Sequence, residues 1–200
     1  MIWATVLAAG ESRRMGTQKL LLPFGETTVI EAIVRTALDS EADGTIVVLG
    51  ADRRRVRDVL KSYPLIFAVN EDYRLGMLSS IQAGFRALPT DVEAAVIMLG
   101  DQPAIPAHVL DALIRAYREN RRGIVVPVHG GRRGHPILVG TDYRDEVLGL
   151  DPGIGLRQLL QAHPEDILEV AVSSPAVLKD IDRPEDYRKE VDLSSKAHRK

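Results

Sequence analysis

Cysteine is absent from all 200 residues. A disulfide scaffold, a thiol nucleophile and a cysteine-ligated zinc site are thereby excluded. Aromatic residues are scarce, with one Trp, five Tyr and three Phe, so the sequence offers no stacking platform for a flat heterocycle. No apolar run approaches the ~20 residues of a membrane span. Nor does one sign of charge dominate. Lys and Arg total 26 and Asp and Glu 28, a net charge of −2. That balance argues against nucleic acid or membrane partners but leaves room for a local phosphate pocket. The opening stretch from Met1 to Leu7 is apolar but short, lacks a basic leader and runs into a glycine turn. It reads as a buried first strand, not a signal peptide, and a cytoplasmic protein is expected.

What is present reads as one domain. The length suits a single core, and 45% hydrophobic with 27% charged residues is ordinary globular composition. Strand-like runs are expected at Ile2–Ala8, Thr45–Leu49, Leu65–Val69, Ala94–Leu99, Ile124–Pro127 and Leu168–Val172. Several are continuously apolar, as strands covered on both faces are. Between them lie amphipathic stretches at Thr28–Leu38, Arg53–Lys61, Leu78–Leu88, Pro106–Glu119, Ile154–Ala162 and Pro184–Val191. In the fourth, Val109, Leu110, Leu113, Ile114 and Tyr117 repeat at helical spacing, and Pro106 suits a helix start. This alternation predicts an α/β fold with a mostly parallel sheet and right-handed crossovers. No repeat, low-complexity segment or linker interrupts it. The polar, basic stretch from Leu193 to Lys200 is expected to fray.

The segment after the first strand, Leu7-Ala8-Ala9-Gly10-Glu11-Ser12-Arg13-Arg14-Met15-Gly16-Thr17-Gln18-Lys19, carries the strongest signal. Small residues let a ligand approach the backbone, and successive N–H groups in such a turn form an anion nest. Arg13 or Arg14 can fork onto phosphate oxygens, and Lys19 adds a point charge. The spacing fits neither a dinucleotide fingerprint, because Ser12 stands where the second glycine belongs, nor a P-loop, because Gly10 to Gly16 is one residue too long. Further on, the buried run ending at Leu99 meets Gly100-Asp101-Gln102-Pro103. Ligands of open α/β sheets bind beyond the carboxyl ends of the strands, so Asp101 falls on the edge that carries Gly10. A hard carboxylate beside a phosphate site suits Mg²⁺. Asp180 and Asp182 alternate along an extended run and should point the same way. Pro184 then opens a helix with Glu185 and Asp186 in its first turn, where acidic side chains match the dipole.

The pattern L-A-A-G-x-x-x-R-M-G-x-x-K resembles the opening signature of the nucleotidyltransferases that activate sugars and cofactors with NTPs. The resemblance continues through five ordered motifs from Ile2 to Tyr187. It implies a single nucleotidyltransferase domain over residues 1–191 with a polar tail over 192–200. It also implies a Rossmann-like three-layer αβα sandwich of the nucleotide-diphospho-sugar transferase type. By position, Leu7, Ala8, Ala9 and Gly10 would contact the nucleotide through their backbone. Arg14 would contact phosphate and Lys19 would be the catalytic lysine, with Arg13 an extra cation. G-D-Q-P is similar to the metal-binding motif of the molybdenum-cofactor branch, with Asp101 as ligand. Asn70 with Gly76, Ser79 and Ser80 would sit against the base. Gly134 and His135, in an R-x-G-H-P segment, and Arg157, in a D-x-G-x-R element, would border the acceptor. Asp182 would be a second metal ligand in a closing D-I-D-T-P-E-D motif, here with Arg183 in place of the Thr.

The resemblance implies attack of an acceptor phosphate on the α-phosphorus of an NTP, with pyrophosphate leaving and Mg²⁺ as cofactor. Likeness to the cytidylyltransferase branch favours CTP as donor and molybdopterin as acceptor, with a molybdoenzyme as a protein partner that receives the product. Alternatives are transfer to a sugar or alcohol phosphate, a carrier that binds the cofactor without turning over NTP, and a Rossmann oxidoreductase. The last is disfavoured by the missing second glycine and by Gly50 and Ala51 standing where a ribose-binding acid would follow the second strand.

Overall fold

A computed structural model describes residues 1–197. The strands are β1 (Ile2–Ala8), β2 (Pro23–Phe24), β3 (Thr27–Thr28), β4 (Gly44–Leu49), β5 (Ile66–Val69), β6 (Ala94–Leu99), β7 (Ile124–His129), β8 (Arg132–Arg133), β9 (Ile137–Gly140) and β10 (Ile167–Ala171). The α-helices are α1 (Val29–Leu38), α2 (Arg53–Leu60), α3 (Met77–Ala87), α4 (Ala107–Asn120), α5 (Arg144–Gly149), α6 (Arg157–Ala162) and α7 (Pro184–Ala197).

All six expected strands form. The main sheet runs β10-β7-β9-β6-β1-β4-β5, with β8 added to β7. β1 pairs in parallel with both β4 and β6, while β9 runs antiparallel between β6 and β7. Period-2 alternation along these strands divides the core into two. Ala4, Val6, Ala8, Val47, Leu49, Val96 and Met98 face one side, with Val29, Ile33 and Val34 of α1, Val56 and Leu60 of α2, and Val109 and Leu113 of α4. Leu7, Ile46, Val48, Ala95 and Ile97 face the other, with Leu78, Ile81 and Phe85 of α3, Val147 of α5 and Leu159 of α6. The expected three-layer αβα sandwich with a mostly parallel sheet is thus present.

The helix ends follow their local chemistry. Thr28 and Glu31 close a capping box on α1, which satisfies two donors the first turn leaves open. Pro106 caps α4 from an extended conformation. Some boundaries differ from expectation. The sixth helix begins at Arg157, not Ile154, because Pro152 and Gly153 form a turn in which Gly153 N donates to Asp151 Oδ1. Helix α5 was not expected from the sequence, since six residues give too little periodicity to recognise. Helix α7 continues through Ala197, beyond the expected end at Val191 and into the stretch expected to fray. Residues 198–200 of that stretch lie outside the described residues.

Because β4 and β5 lie on one side of β1 and β6 on the other, the chain reverses direction across the sheet at β1. The carboxyl ends of β1 and β6 therefore open a crevice at a topological switch point, the usual ligand position in such sheets.

Candidate active site

The loop from Gly10 to Lys19 leaves β1 into that crevice and is held shut by its own side chains. Ser12 Oγ donates to Gln18 Oε1 at 2.7 Å and accepts from Lys19 N at 3.1 Å, and Gln18 Nε2 donates to the Gly10 carbonyl at 3.2 Å. Ser12 (φ 53°) and Gly16 (φ 67°) both adopt left-handed backbone. Between them Arg13–Met15 make one 3-10 turn that turns the arginines outward. Ser12 and Gln18 are thus locking residues that the motif did not reveal. Their signal was the serine standing where a dinucleotide loop has glycine.

Lys19 points back under the loop. Its ammonium donates to Asp101 Oδ2 at 2.7 Å and to the Ile181 carbonyl at 2.9 Å, and lies 3.5 Å from Asp182 Oδ1. Arg14 Nη1 donates to the other oxygen of Asp182 at 2.7 Å, across 168 positions of sequence. Four residues expected at the site therefore form one chain of charges, Arg14–Asp182–Lys19–Asp101. Its centre is shielded, with Lys19 only 14% and Asp101 only 22% exposed. The C-terminal segment is tied in by Ile181 N donating to the Asp101 carbonyl at 2.9 Å. Ile181 is buried in the core while Asp180 and Asp182 border the same surface groove, as their alternation predicted. They have separate partners, however. Asp180 Oδ1 accepts from Gln102 Nε2 at 2.6 Å.

Gly100 explains how Asp101 reaches this place. A Cβ there would collide with the Leu7 carbonyl oxygen, which accepts from Gly100 N at 3.0 Å. Only glycine lets the end of β6 pass this close to β1.

The fit to a divalent cation can be tested on the donors present. Asp101 Oδ1 is buried without a hydrogen-bond partner, an arrangement costly for a carboxylate unless a cation or donor completes it. Among the described residues no three acidic or imidazole groups converge into a ready-made cage. Mg²⁺ needs none, since one or two carboxylates with phosphate and water satisfy it. Asp101 and Asp182 fit that role, with Lys19 lying between them.

Two cavities flank the charge chain. One, of about 360 Å³, is polar and lined by Glu11, Arg13, Arg14, Lys19, Arg74 and Asp182 among others. The second, of about 280 Å³, is lined by Leu7, Ala9, Gly10, Gly76, Ser80 and Asp101 among others. Tyr73 borders both. Ala8 borders neither and packs its methyl group into the opposite core. A larger groove of about 620 Å³ runs between Asp180, Asp182 and α7. Carboxylates dominate its wall, which makes it a poor place for a polyphosphate.

The expected base-side residues divide. Asn70, 5% exposed, donates through Nδ2 to Ser79 Oγ at 2.8 Å and Ser80 Oγ at 3.0 Å, and its Oδ1 accepts from Asp72 N at 3.0 Å. Ser79 Oγ in turn faces the carbonyls of Gly76 and Asp72 at 2.8 and 3.0 Å. Asn70 and Ser79 therefore spend their groups on bracing the turn before α3, while Gly76 and Ser80 reach the cavity wall.

Of the acceptor-side residues, Gly134 is a packing glycine, where any Cβ would strike the Val177 carbonyl. His135 N donates to that same carbonyl at 2.9 Å, and the His135–Pro136 peptide is cis. Burial pushes the His135 imidazole below its usual range, against the pull of the Asp180 and Asp101 charges. Burial pushes the Asp180 carboxyl up, and the Asp101 charge adds to it against the Gln102 hydrogen bond. Gln102 is 4% exposed and its Oε1 has no partner. Its side chain thus joins Asp180 and the neighbourhood of His135 to Asp101, a link that the motif G-D-Q-P contained but did not explain. Arg157 stands apart. It is exposed, and its guanidinium pairs with no group among the described residues.

Residues 4–167 match the family model described as the MobA-like NTP transferase domain. The chain belongs to that family. Among its relatives, the molybdenum cofactor cytidylyltransferase of Escherichia coli K12 is 28% identical over 183 residues, 91% of each chain. The nicotine blue oxidoreductase of Paenarthrobacter nicotinovorans is 28% identical over 190 residues, covering 90% of this chain and 92% of that one. Among solved structures, Rv0371c of Mycobacterium tuberculosis H37Rv in complex with manganese superposes with a TM-score of 0.81 at 28% identity. That match covers 96% of this chain and 98% of the other. A divalent metal is therefore bound in a protein of the same fold and similar sequence.

Proposed function

We propose that this protein is a Mg²⁺-dependent nucleotidyltransferase that joins CMP from CTP to a phosphorylated acceptor, molybdopterin, and releases pyrophosphate. The observation that carries the reading is the union of Arg14, Asp182, Lys19 and Asp101 at the switch point, with one oxygen of Asp101 buried and unpaired. Asp101 and Asp182 would hold the cation, which would supply charge neutralisation for the reacting phosphates. The remaining work falls to the chain's own groups. The Gly10 loop positions the triphosphate, and Arg14 and Lys19 balance charge growing on the leaving pyrophosphate. Arg13 adds a further cation at the rim. Leu7, Ala9, Gly10, Gly76 and Ser80 offer a narrow wall for the nucleoside, and Ala8 supports it from the core side. A phosphate acceptor is already anionic, so no general base is required. His135, kept neutral by burial, and the peptide at Gly134 border the acceptor side, and Arg157 is carried there by resemblance to the family.

The preference for CTP and molybdopterin rests on likeness to the cytidylyltransferase relative. A cytoplasmic setting and delivery of the product to a molybdoenzyme belong to the same proposal. Among the described residues no helix is long and apolar enough to cross a membrane. The test is pyrophosphate release from CTP, GTP, ATP and UTP with Mg²⁺, with and without molybdopterin. Release selective for CTP and dependent on molybdopterin is expected. GTP selectivity would overturn the nucleotide assignment, and release only with sugar or alcohol phosphates would overturn the acceptor. Pterin binding without release from any NTP would point to a carrier. One relative is named as an oxidoreductase, so NADH and NADPH oxidation belongs in the same panel. Turnover there would overturn the transferase reading.

A further inference from the structure

We propose that Arg74 is a polyphosphate-binding residue, and that Glu11 is an anionic placeholder that holds Arg74 and Arg13 ready until the triphosphate arrives. The inference rests on the nucleotidyltransferase reading and extends it to Arg74, outside the family's motifs, and to Glu11, at an unassigned position within the first of them.

Arg74 lies in the turn between β5 and α3, 63 positions from Glu11 in sequence, yet it lines the same polar cavity as Arg14 and Lys19. Its Nε lies 3.4 Å from Glu11 Oε1, and Arg13 Nη2 lies 2.6 Å from Glu11 Oε2. One carboxylate thus divides its two oxygens between two guanidinium groups. Among the described residues neither arginine has another anionic partner. Arg74 otherwise rests over the Tyr73 ring, 5.5 Å from its centroid.

Both arginines are largely exposed, at 76% and 71%. Ion pairs of that kind add little to folding, so their convergence is not explained by stability. It is explained by the ligand. The cavity wall carries four cations, Arg13, Arg14, Lys19 and Arg74, against the two carboxylates of Glu11 and Asp182. That surplus suits a polyanion. A triphosphate offers several oxygens at the fork spacing that guanidinium groups prefer, where Glu11 offers two. Glu11 meanwhile occupies the two arginines at the cavity wall until phosphate displaces it. Arg74 also brings the β5–α3 turn, through Tyr73, to the border of both cavities. Phosphate binding is thereby coupled to the wall against which the nucleoside would lie.

The test uses the full chain and inorganic tripolyphosphate with Mg²⁺, followed by calorimetry at low ionic strength. Arg74→Ala should weaken binding about tenfold, the scale of one charge-assisted contact. Arg74→Lys should recover part of the loss, because it restores charge without the fork. Glu11→Gln should tighten binding about threefold, because the placeholder no longer competes. Equal thermal midpoints will show the variants folded, as expected for exposed side chains. Arg74→Ala binding within twofold of wild type would overturn the role of Arg74. Glu11→Gln binding more weakly than wild type would overturn the placeholder. If wild type still releases pyrophosphate from an NTP in those cases, only this inference falls. If wild type binds neither tripolyphosphate nor any NTP, the nucleotidyltransferase reading falls and takes this inference with it.

Discussion

The two walls of the crevice look alike as sequence and behave differently as structure. Both follow a strand, and both mix glycine with polar side chains. In the Gly10–Lys19 wall, the polar groups either lock the loop, as Ser12 and Gln18 do, or face the cavity as charges held by removable partners. In the Asn70–Ser80 wall, Asn70 and Ser79 are buried and fully engaged with each other and with the Asp72 and Gly76 carbonyls. The difference teaches that a polar residue at a strand end is available for chemistry only if the fold has not already satisfied its hydrogen bonds. A buried amide with every donor and acceptor used is scaffold. A carboxylate with one oxygen buried and unpaired, such as Asp101, still has an acceptor to offer.

Substitutions across the two walls can break or sharpen this contrast. The largest effect is expected at Asp101. Asp101→Ala should lower NTP-dependent pyrophosphate release on the order of a hundredfold or more, with little change in thermal midpoint. A steady-state pyrophosphate assay beside a thermal melt checks both parts. A variant that melts early but turns over normally per folded molecule would place Asp101 with the scaffold.

Asn70→Ala should do the reverse. It leaves buried hydroxyls without their donor, at a cost of about 1–3 kcal/mol. In a chain of this length that lowers the melting temperature by roughly 2–4 °C per kcal/mol. Urea unfolding together with turnover per folded molecule would reveal it. Loss of turnover at full stability would erase the distinction between the walls.

Gln18→Ala tests the loop lock. Removing its bonds to Ser12 and Gly10 should raise KM for the NTP about threefold to tenfold, since ordering worth about 1 kcal/mol is lost. The melting temperature should scarcely move, because Gln18 itself belongs to neither core.

The smallest effect concerns Asp180. Its carboxyl is pushed above the ordinary value of 3.8 in the folded chain, chiefly by burial. Below that value the group is protonated in both folded and unfolded chains. As pH rises through the folded pKa, the folded chain must carry a charge it disfavours, and stability is lost. Asp180→Asn removes the cost. The variant should melt above wild type at pH 7, with the gain fading as pH falls toward 3.8. A pH series of thermal melts would show it, and a constant offset at all pH values would assign the effect to packing instead.

Much of this molecule was legible in one dimension. Continuous apolar runs identified the strands of a sheet covered on both faces, and helical spacing in Val109, Leu110, Leu113 and Ile114 identified α4. Residue chemistry and spacing marked the cations of the Gly10 loop and Asp101, and the resemblance to the nucleotidyltransferase motifs singled out Arg14, Lys19 and Asp182. The antiparallel order of β9 within the sheet, helix α5 and the inward engagement of Asn70 were not legible. Short elements carry little periodicity, and hydrogen-bond saturation depends on neighbours that local sequence does not name.

The sequence by itself determined the α/β alternation, the cationic, glycine-bearing character of the Gly10 loop and the acidic end of β6, because backbone preference, hydrophobic period and side-chain chemistry act over short spans. Only the tertiary structure decided that Arg14 meets Asp182, that Lys19 lies between two aspartates, that Arg74 shares the polar cavity with Arg14 and Lys19 and pairs with Glu11, and that Asn70 braces the turn before α3. Those pairings join residues from 9 to 168 positions apart. The longest are fixed by the strand order that places the ends of β1 and β6 side by side and by the Ile181–Asp101 backbone hydrogen bond that brings the C-terminal segment over them.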